Sequence, residues 1–250
     1  MSHEHSIDLA GGTLKGNAQS RRRPASATDR HLGWFAVADG IGQHPGQDVA
    51  SKKALEIVRG CFYTPGPTWR DGVLVNPERM RIHLFTSLMF ANLVLREETG
   101  DQTLGPHPAT TFLGVVVRPG KLWVSHIGDG RCYRFRGGRL ERLTTDHSVR
   151  EDPPGRERLP RGEAERVAGD DLTRALGLHS AAVSDVHDTD AEAGDIVILT
   201  TRGLTEVIDD ATLGKVFSVE QDIETATAKL LDCARKRGGA NSAEALVVRC

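Results

Sequence analysis

Charged residues set beside glycine at the ends of apolar runs give this chain its chemistry-bearing positions. Trp34-Phe35-Ala36-Val37-Ala38 stops abruptly at Asp39-Gly40, as a buried strand ends in a functional turn. Gly128-Asp129-Gly130-Arg131 follows a second apolar run, where a carboxylate either meets a ligand or pairs within its own turn. A third run, Asp195 to Leu199, leads through Thr200-Thr201 to Arg202-Gly203, a guanidinium that does not deprotonate. Asp146-His147 has the residue types of an acid–base pair, with anchoring of a neighbouring segment as the commoner use. His44 and His126 read as structural histidines, and His3-Glu4-His5 as part of a frayed start. Arg22-Arg23-Pro24-Ala25-Ser26 has the pattern of a basophilic kinase target, a short motif with many chance matches.

The elements that must carry these residues follow from periodicity. Helical spacing recurs from Gln47 to Val58, from Met80 to Leu95 and from Val219 to Arg237, the last stopped by Gly238-Gly239. Thr111 to Arg118 and Lys121 to Ile127 are strand-like and joined by Pro119-Gly120; Arg131 to Arg136 and Arg139 to Leu143 are joined by Gly137-Gly138. Together they predict an antiparallel meander rather than a βαβ series. Ala245 to Val248 predicts a closing strand, and the Arg-rich stretch from Gly16 to Ala27 predicts loop or edge structure. Residues 1–10 read as a flexible tail and 11–250 as a single domain, with a charged flap-like segment at about 146–175.

Composition bounds the function. A net charge of −2 over 250 residues argues against a nucleic-acid partner or a polybasic membrane patch, and no apolar run reaches spanning length. Four scattered cysteines, without CxxC spacing, suit a reducing cytosol, so a cytoplasmic protein is expected.

Several short signatures, in order, resemble the PP2C (PPM) family of metal-dependent serine/threonine protein phosphatases. They are Val37 to Ser51, Ala109-Thr110-Thr111, Val124 to Tyr133 around Gly128-Asp129, Leu143 to Ser148, Leu172 to Gly177, and Ala193 to Leu199. The resemblance runs from about residue 11 to the C-terminus. It implies an α+β fold, a four-layer α-β-β-α sandwich of two antiparallel sheets flanked by helices. It also implies paired Mg²⁺ or Mn²⁺ ions held by oxygen ligands, which generate the water nucleophile and clamp the phosphoryl group.

By that resemblance Asp39 is the central bridging carboxylate, Gly40 offers its carbonyl, and Asp129 matches an accessory metal ligand. Other slots depart from the pattern. The family's Arg-x-x-Asn-Glu-Asp motif fits two registers. In one, Arg23 is the phosphate-contacting arginine and Ser26-Ala27-Thr28 replaces Asn-Glu-Asp, with Asp29 one residue late. In the other, Asn17 is the asparagine and Ala18-Gln19 replaces the acidic pair. The first is preferred, because Thr13 to Gly16 resembles the family's short start. Later, Arg202 replaces a metal-binding aspartate and Ala240-Asn241 replaces an Asp-Asn pair. The ligand slots Ala27, Thr28, Arg202 and Ala240 are therefore substituted. Arg202 is expected to pair with Asp39 in place of the ions. The expectation is a catalytically impaired phosphatase-like module with no cofactor, or with Mg or Mn if the site is competent. Its partner would be a phosphoprotein or a kinase in bacterial-type Ser/Thr kinase signalling; the alternative is an active Mg/Mn-dependent phosphatase with an atypical ligand set.

Overall fold

A computed structural model of the chain describes residues 7–16, 20, 22–41, 47–63, 76–97, 109–152, 172–239 and 241–250, with Arg22, Arg23 and Gln47 as backbone alone. His3-Glu4-His5, Ala18-Gln19, His44, Ala240 and most of the expected flap lie outside these residues. The described strands are β1 (Asp8–Leu14), β2 (Arg22–Asp29), β3 (Trp34–Ile41), β4 (Ala109–Arg118), β5 (Lys121–Ile127), β6 (Arg131–Arg136), β7 (Arg139–Arg142), β8 (Asp185–Thr189), β9 (Ile196–Thr200) and β10 (Ala243–Arg249). The described helices are α1 (Gln47–Cys61), α2 (Pro77–Glu97), α3 (Arg202–Thr205), α4 (Asp210–Val219) and α5 (Ile223–Lys236).

The strands form two five-stranded antiparallel sheets, ordered β2-β3-β4-β5-β8 and β1-β10-β9-β6-β7. Period-two alternation explains how the layers close. On β3, Trp34, Ala36 and Ala38 turn toward α1 and α2 and join a cluster with Leu55, Leu84 and Leu88. Phe35 and Val37 turn the other way and meet Leu113, Val115, Val197, Leu199 and Leu246 between the sheets. On the second sheet, Tyr133, Ile198 and Val247 pack outward against Leu213, Phe217 and Leu230 of α4 and α5. The result is the expected α-β-β-α sandwich. No described helix is long and apolar enough to cross a membrane.

Three expectations need correction. Residues 8–10 are not tail: Asp8–Leu14 forms β1, fixed by antiparallel pairing to β10 from Asp8↔Arg249 to Leu14↔Ala243. The meander is broken, because β4–β5 and β6–β7 are hairpins in different sheets. The chain changes sheet at Gly128, which has φ 113° and lies so close to Thr111 that a Cβ would sit 2.5 Å from Thr111 Cγ2. The helix expected from Val219 to Arg237 starts later, because Val219 ends α4 and α5 runs from Ile223 to Lys236. Asp209 accepts from Thr212 N at 2.7 Å and Asp222 from Thr225 N at 2.7 Å, so each helix begins on its own aspartate cap. In agreement with the expected loop or edge structure, the Arg-rich stretch contributes an edge strand, β2, whose place at the rim tolerates Pro24.

Candidate functional site

Asp39 is fully buried near the end of β3. It lies across from Thr111 on one side and Pro24 on the other, and its amide donates to Thr111 Oγ1 at 3.2 Å. Because Phe35 and Val37 face between the sheets, Asp39 continues that face by alternation. Gly40 pairs with Thr110 and Arg23. Asp129, 1% exposed, follows the glycine at the sheet change, beyond Thr111. Strand β4 lies between β3, which carries Asp39, and β5, which Asp129 follows by two residues.

The β2–β3 register decides where the missing acidic pair would have been. Ala27 pairs with Ala36 and packs in the cluster beneath α1 and α2, facing away from Asp39's side of the sheet. Thr28 pairs with Phe35, four residues up the strand from Asp39's level, or about 13 Å. The preferred alignment is therefore corrected: Ala27 and Thr28 are not at the site. Residues at the level of Asp39 and Gly40 are Pro24 and Arg23; the Asn17, Ala18 and Gln19 of the other register lie outside the described residues. In either register no Asp or Glu occurs between Asp8 and Asp29.

Asp29 is committed elsewhere. It accepts from Leu32 N at 3.1 Å, Arg59 Nε at 3.1 Å and Tyr63 Oη at 2.5 Å, at the far end of the β2–β3 hairpin. Burial pushes its carboxyl up, but the bonds from Tyr63, Leu32 and Arg59 more than reverse this and hold it below the usual range.

The second sheet brings cations to the same edge. Arg131 pairs with Thr200 across β6 and β9, so the start of β6 adjoins the exit of β9. Its guanidinium donates to buried Asp146 from Nε at 3.0 and 3.2 Å and from Nη2 at 2.7 Å. Arg142 donates to the same carboxylate. Arg202 opens α3, with Nη1 3.7 Å from Asp146 and Nε 3.4 Å from Glu206. Ion pairs thus run from it to Asp146 and Glu206. Gly203 fixes this placement, because a Cβ there would run into the Ser242 carbonyl oxygen. Asn241 donates to Glu206 at 2.8 Å.

One buried carboxylate escaped the sequence reading. Glu244 accepts from Thr13 Oγ1 at 2.5 Å and Ser26 Oγ at 2.6 Å, tying β10 to strands of both sheets. Its backbone also exchanges bonds with Thr201, from Glu244 N to Thr201 Oγ1 at 2.9 Å and from Thr201 N to Glu244 O at 3.0 Å. A glutamate inside the apolar run Ala243–Val248 was the available signal.

His126, His147 and Asp185 lie close enough to suggest a cation site, with one ligand atom from each within 4.8 Å of the others. Their hydrogen bonds argue for an anchor instead. Gly128 N–H donates to His147 Nδ1 at 3.1 Å, which puts the ring proton on Nε2, 3.3 Å from Asp185. His126 Nε2 donates to the Thr145 carbonyl at 3.0 Å. Burial, then the neighbouring His147, holds the His126 imidazole down to about 3. Asp146-His147 thus secures the segment after β7 to the sheet change.

The donor chemistry can be weighed against a pair of divalent cations. Asp39, Asp129 and the Gly40 carbonyl stand at the edge; Asp146 is engaged by arginines, and Glu244 by two hydroxyls. Two such ions bring four positive charges, and Arg202 adds another. Among the described residues this set offers fewer uncommitted carboxylates than a pair of divalent ions ordinarily takes.

The sequence profile of the family described as "Protein phosphatase 2C" matches residues 23–244. Among curated proteins, the chain is similar to serine/threonine phosphatase stp of Listeria innocua, at 24% identity over 221 residues, covering 85% of this chain and 82% of that one. It is also similar to probable protein phosphatase 2C 41 of Oryza sativa, at 26% identity over 239 residues, covering 90% and 79%. Among solved structures it superposes on PppA, described as a key regulatory component of T6SS in Pseudomonas aeruginosa, with a TM-score of 0.79, 26% identity and 97% of each chain covered. The PPM Ser-Thr phosphatase MsPP from Mycobacterium smegmatis, in complex with cacodylate, gives 0.76, 28% and 97% of each chain.

Proposed function

We propose, from the premise that this chain belongs to the protein phosphatase 2C family, that it is a phosphoprotein-recognising or regulatory module with impaired turnover. The observation that carries this reading is Arg202 at the exit of β9, beside Asp146 and Arg131, where the family pattern has an aspartate. Metal-dependent phosphatases make their nucleophile by lowering the pKa of a bound water, and that needs a carboxylate-rich edge. Here the edge carries guanidinium groups instead. Arg202 has 17% of its side chain exposed and is held at long distances by Asp146 and Glu206, so an arriving phosphate can exchange for either. A phosphoserine or phosphothreonine segment is the fitting ligand. A kinase, or a protein that it phosphorylates, is the fitting partner.

A second reading, an active Mg/Mn-dependent phosphatase with an atypical ligand set, rests on the retention of buried Asp39 and Asp129 at one edge and on relatives named as phosphatases. Hydrolysis of p-nitrophenyl phosphate and a phosphothreonine peptide in excess Mn²⁺ separates the two. The wild type is expected to turn over neither above background, while titration calorimetry detects peptide binding that Arg202→Ala weakens at least tenfold. Arg202→Asp combined with Ala240→Asp is expected to raise Mn²⁺-dependent turnover at least tenfold. Wild-type turnover that requires Mn²⁺ and is abolished by Asp39→Asn would overturn the first reading and establish the second.

A further inference from the structure

A cavity of about 260 Å³ opens at the end of the sandwich away from Asp39. Its walls come from the β2–β3 turn, the β4–β5 turn, the loop between β8 and β9, and the residues that flank β1 and β10 at that end. Val117 and Ala191 on its wall belong to the apolar cluster between the sheets, and Ile7 packs against that cluster. Val117 stands six residues along β4 from Thr111, the partner of Asp39, so roughly 20 Å separates this end from the candidate site.

The polar part of the lining is mostly basic, with Arg30 and His31 on one turn and Arg118 on the other. Glu192 also lines the cavity, and its carboxylate is paired with Arg136 at 2.7 Å. Burial, then the neighbouring Asp195, pushes the Cys250 thiol up to about 11, so it adds no negative charge near neutral pH. Arg118 carries the inference. The mostly buried side chains of Arg131, Arg134, Arg174 and Arg202 each reach a carboxylate. Arg118 is partly buried as well, yet among the described residues no carboxylate pairs with it. Its Nη1 donates to the Val117 carbonyl at 3.4 Å, at the limit of a hydrogen bond. Burial holds this guanidinium below the usual arginine value and leaves it charged. A guanidinium that has lost water without gaining an anion is stabilised by a carboxylate that reaches it.

Volume and walls narrow the ligand class. The space equals about nine waters at their share of the liquid, too little for a nucleotide and enough for a small metabolite. We propose that this cavity binds a small monocarboxylate with an aliphatic or single-ring body, its carboxylate on Arg118 and its apolar end against Val117 and Ala191.

An NMR titration of the full ¹⁵N-labelled chain with sodium octanoate and sodium benzoate, each to about 10 mM, tests the proposal. At least one is expected to bind saturably with a Kd below about 1 mM. The largest shifts are expected at the amides of Gly33, Val117 and Ala191. Arg118→Gln should weaken binding at least tenfold with no fall in melting temperature, since it breaks no ion pair. Ala191→Leu, which fills the space, should weaken it as much, and octanol, which lacks the charge, should bind at least tenfold more weakly than octanoate. Arg202→Ala should leave the octanoate constant unchanged. The proposal is overturned if neither acid binds saturably, or if Arg118→Gln and Ala191→Leu leave binding intact. It is equally overturned if Arg202→Ala abolishes binding, or if the shifts gather on the exposed apolar side chains of α2.

Discussion

Individual side chains at the site edge are defined by what they are tied to. Arg131, Arg142 and Arg202 converge on Asp146, whose side chain is 1% exposed, and Glu244 is held by hydroxyls from Thr13 and Ser26. The histidines nearby add a pH dependence whose sign is fixed. His126 titrates near 6.5 when unfolded and is held down to about 3 in the fold, chiefly by burial. Between those values the unfolded chain binds the extra proton, so the stability contributed by neutral His126 is complete above pH 6.5. It is lost as the pH falls toward 3, by up to about 1.4 kcal/mol per unit. Melting temperature measured from pH 7 to 4.5 should therefore fall, and fall less steeply in His126→Asn. Much of this edge was legible residue by residue. Asp39-Gly40 and Gly128-Asp129 announce themselves because an apolar run ending in Asp beside Gly has few structural alternatives. The partners of Arg202 were not legible. They depend on Asp146, 56 positions earlier, being carried to the β9 exit by the β6–β9 register, which no local pattern encodes.

The elements show where periodicity informs and where it fails. The strands β3, β4, β5 and β9 are buried on both faces and read as continuous apolar runs, so they were visible in the sequence. Strand β8, with the sequence Asp185-Val-His-Asp-Thr189, is a half-buried edge strand with no apolar alternation, and it was not visible. The alignment that assigned Ala27 and Thr28 to ligand slots failed for a related reason. The hairpin register is fixed by the Arg30–Gly33 turn, where Gly33 donates to the Arg30 carbonyl at 3.1 Å with φ 54°, rather than by the strand residues. Helix α3 supplies a test at this scale. It reaches β10 only because residue 203 lacks a side chain, so Gly203→Ala should force α3 from Ser242 and cost roughly 2–3 kcal/mol in urea unfolding. The same displacement should lower phosphopeptide affinity, because Arg202 moves with the helix.

The whole molecule is two sheet–helix halves joined by one apolar seam. Leu113, 1% exposed, belongs to that seam, together with Val197 and Leu199 of the opposite sheet. Leu113→Ala should cost about 3 kcal/mol and accelerate amide exchange in β3 and β9 alike, whereas damage confined to one half would leave the other protected. The order of strands has a consequence for how the protein is made. Strand β10 is the last element in the chain, yet it lies in the interior of its sheet, between β1 and β9. The first described strand, β1, therefore has no partner in its sheet until β10 is made, more than two hundred residues later. Strand β1 waits unpaired while β2 to β9 are made, and β10, arriving like a keystone, joins it to β9. The sheet whose β9 leads to Arg202 closes only after β10 has been made, while β2 to β5 can pair much earlier. Nascent chains arrested before residue 243 should accordingly be the form of this protein that chaperones meet.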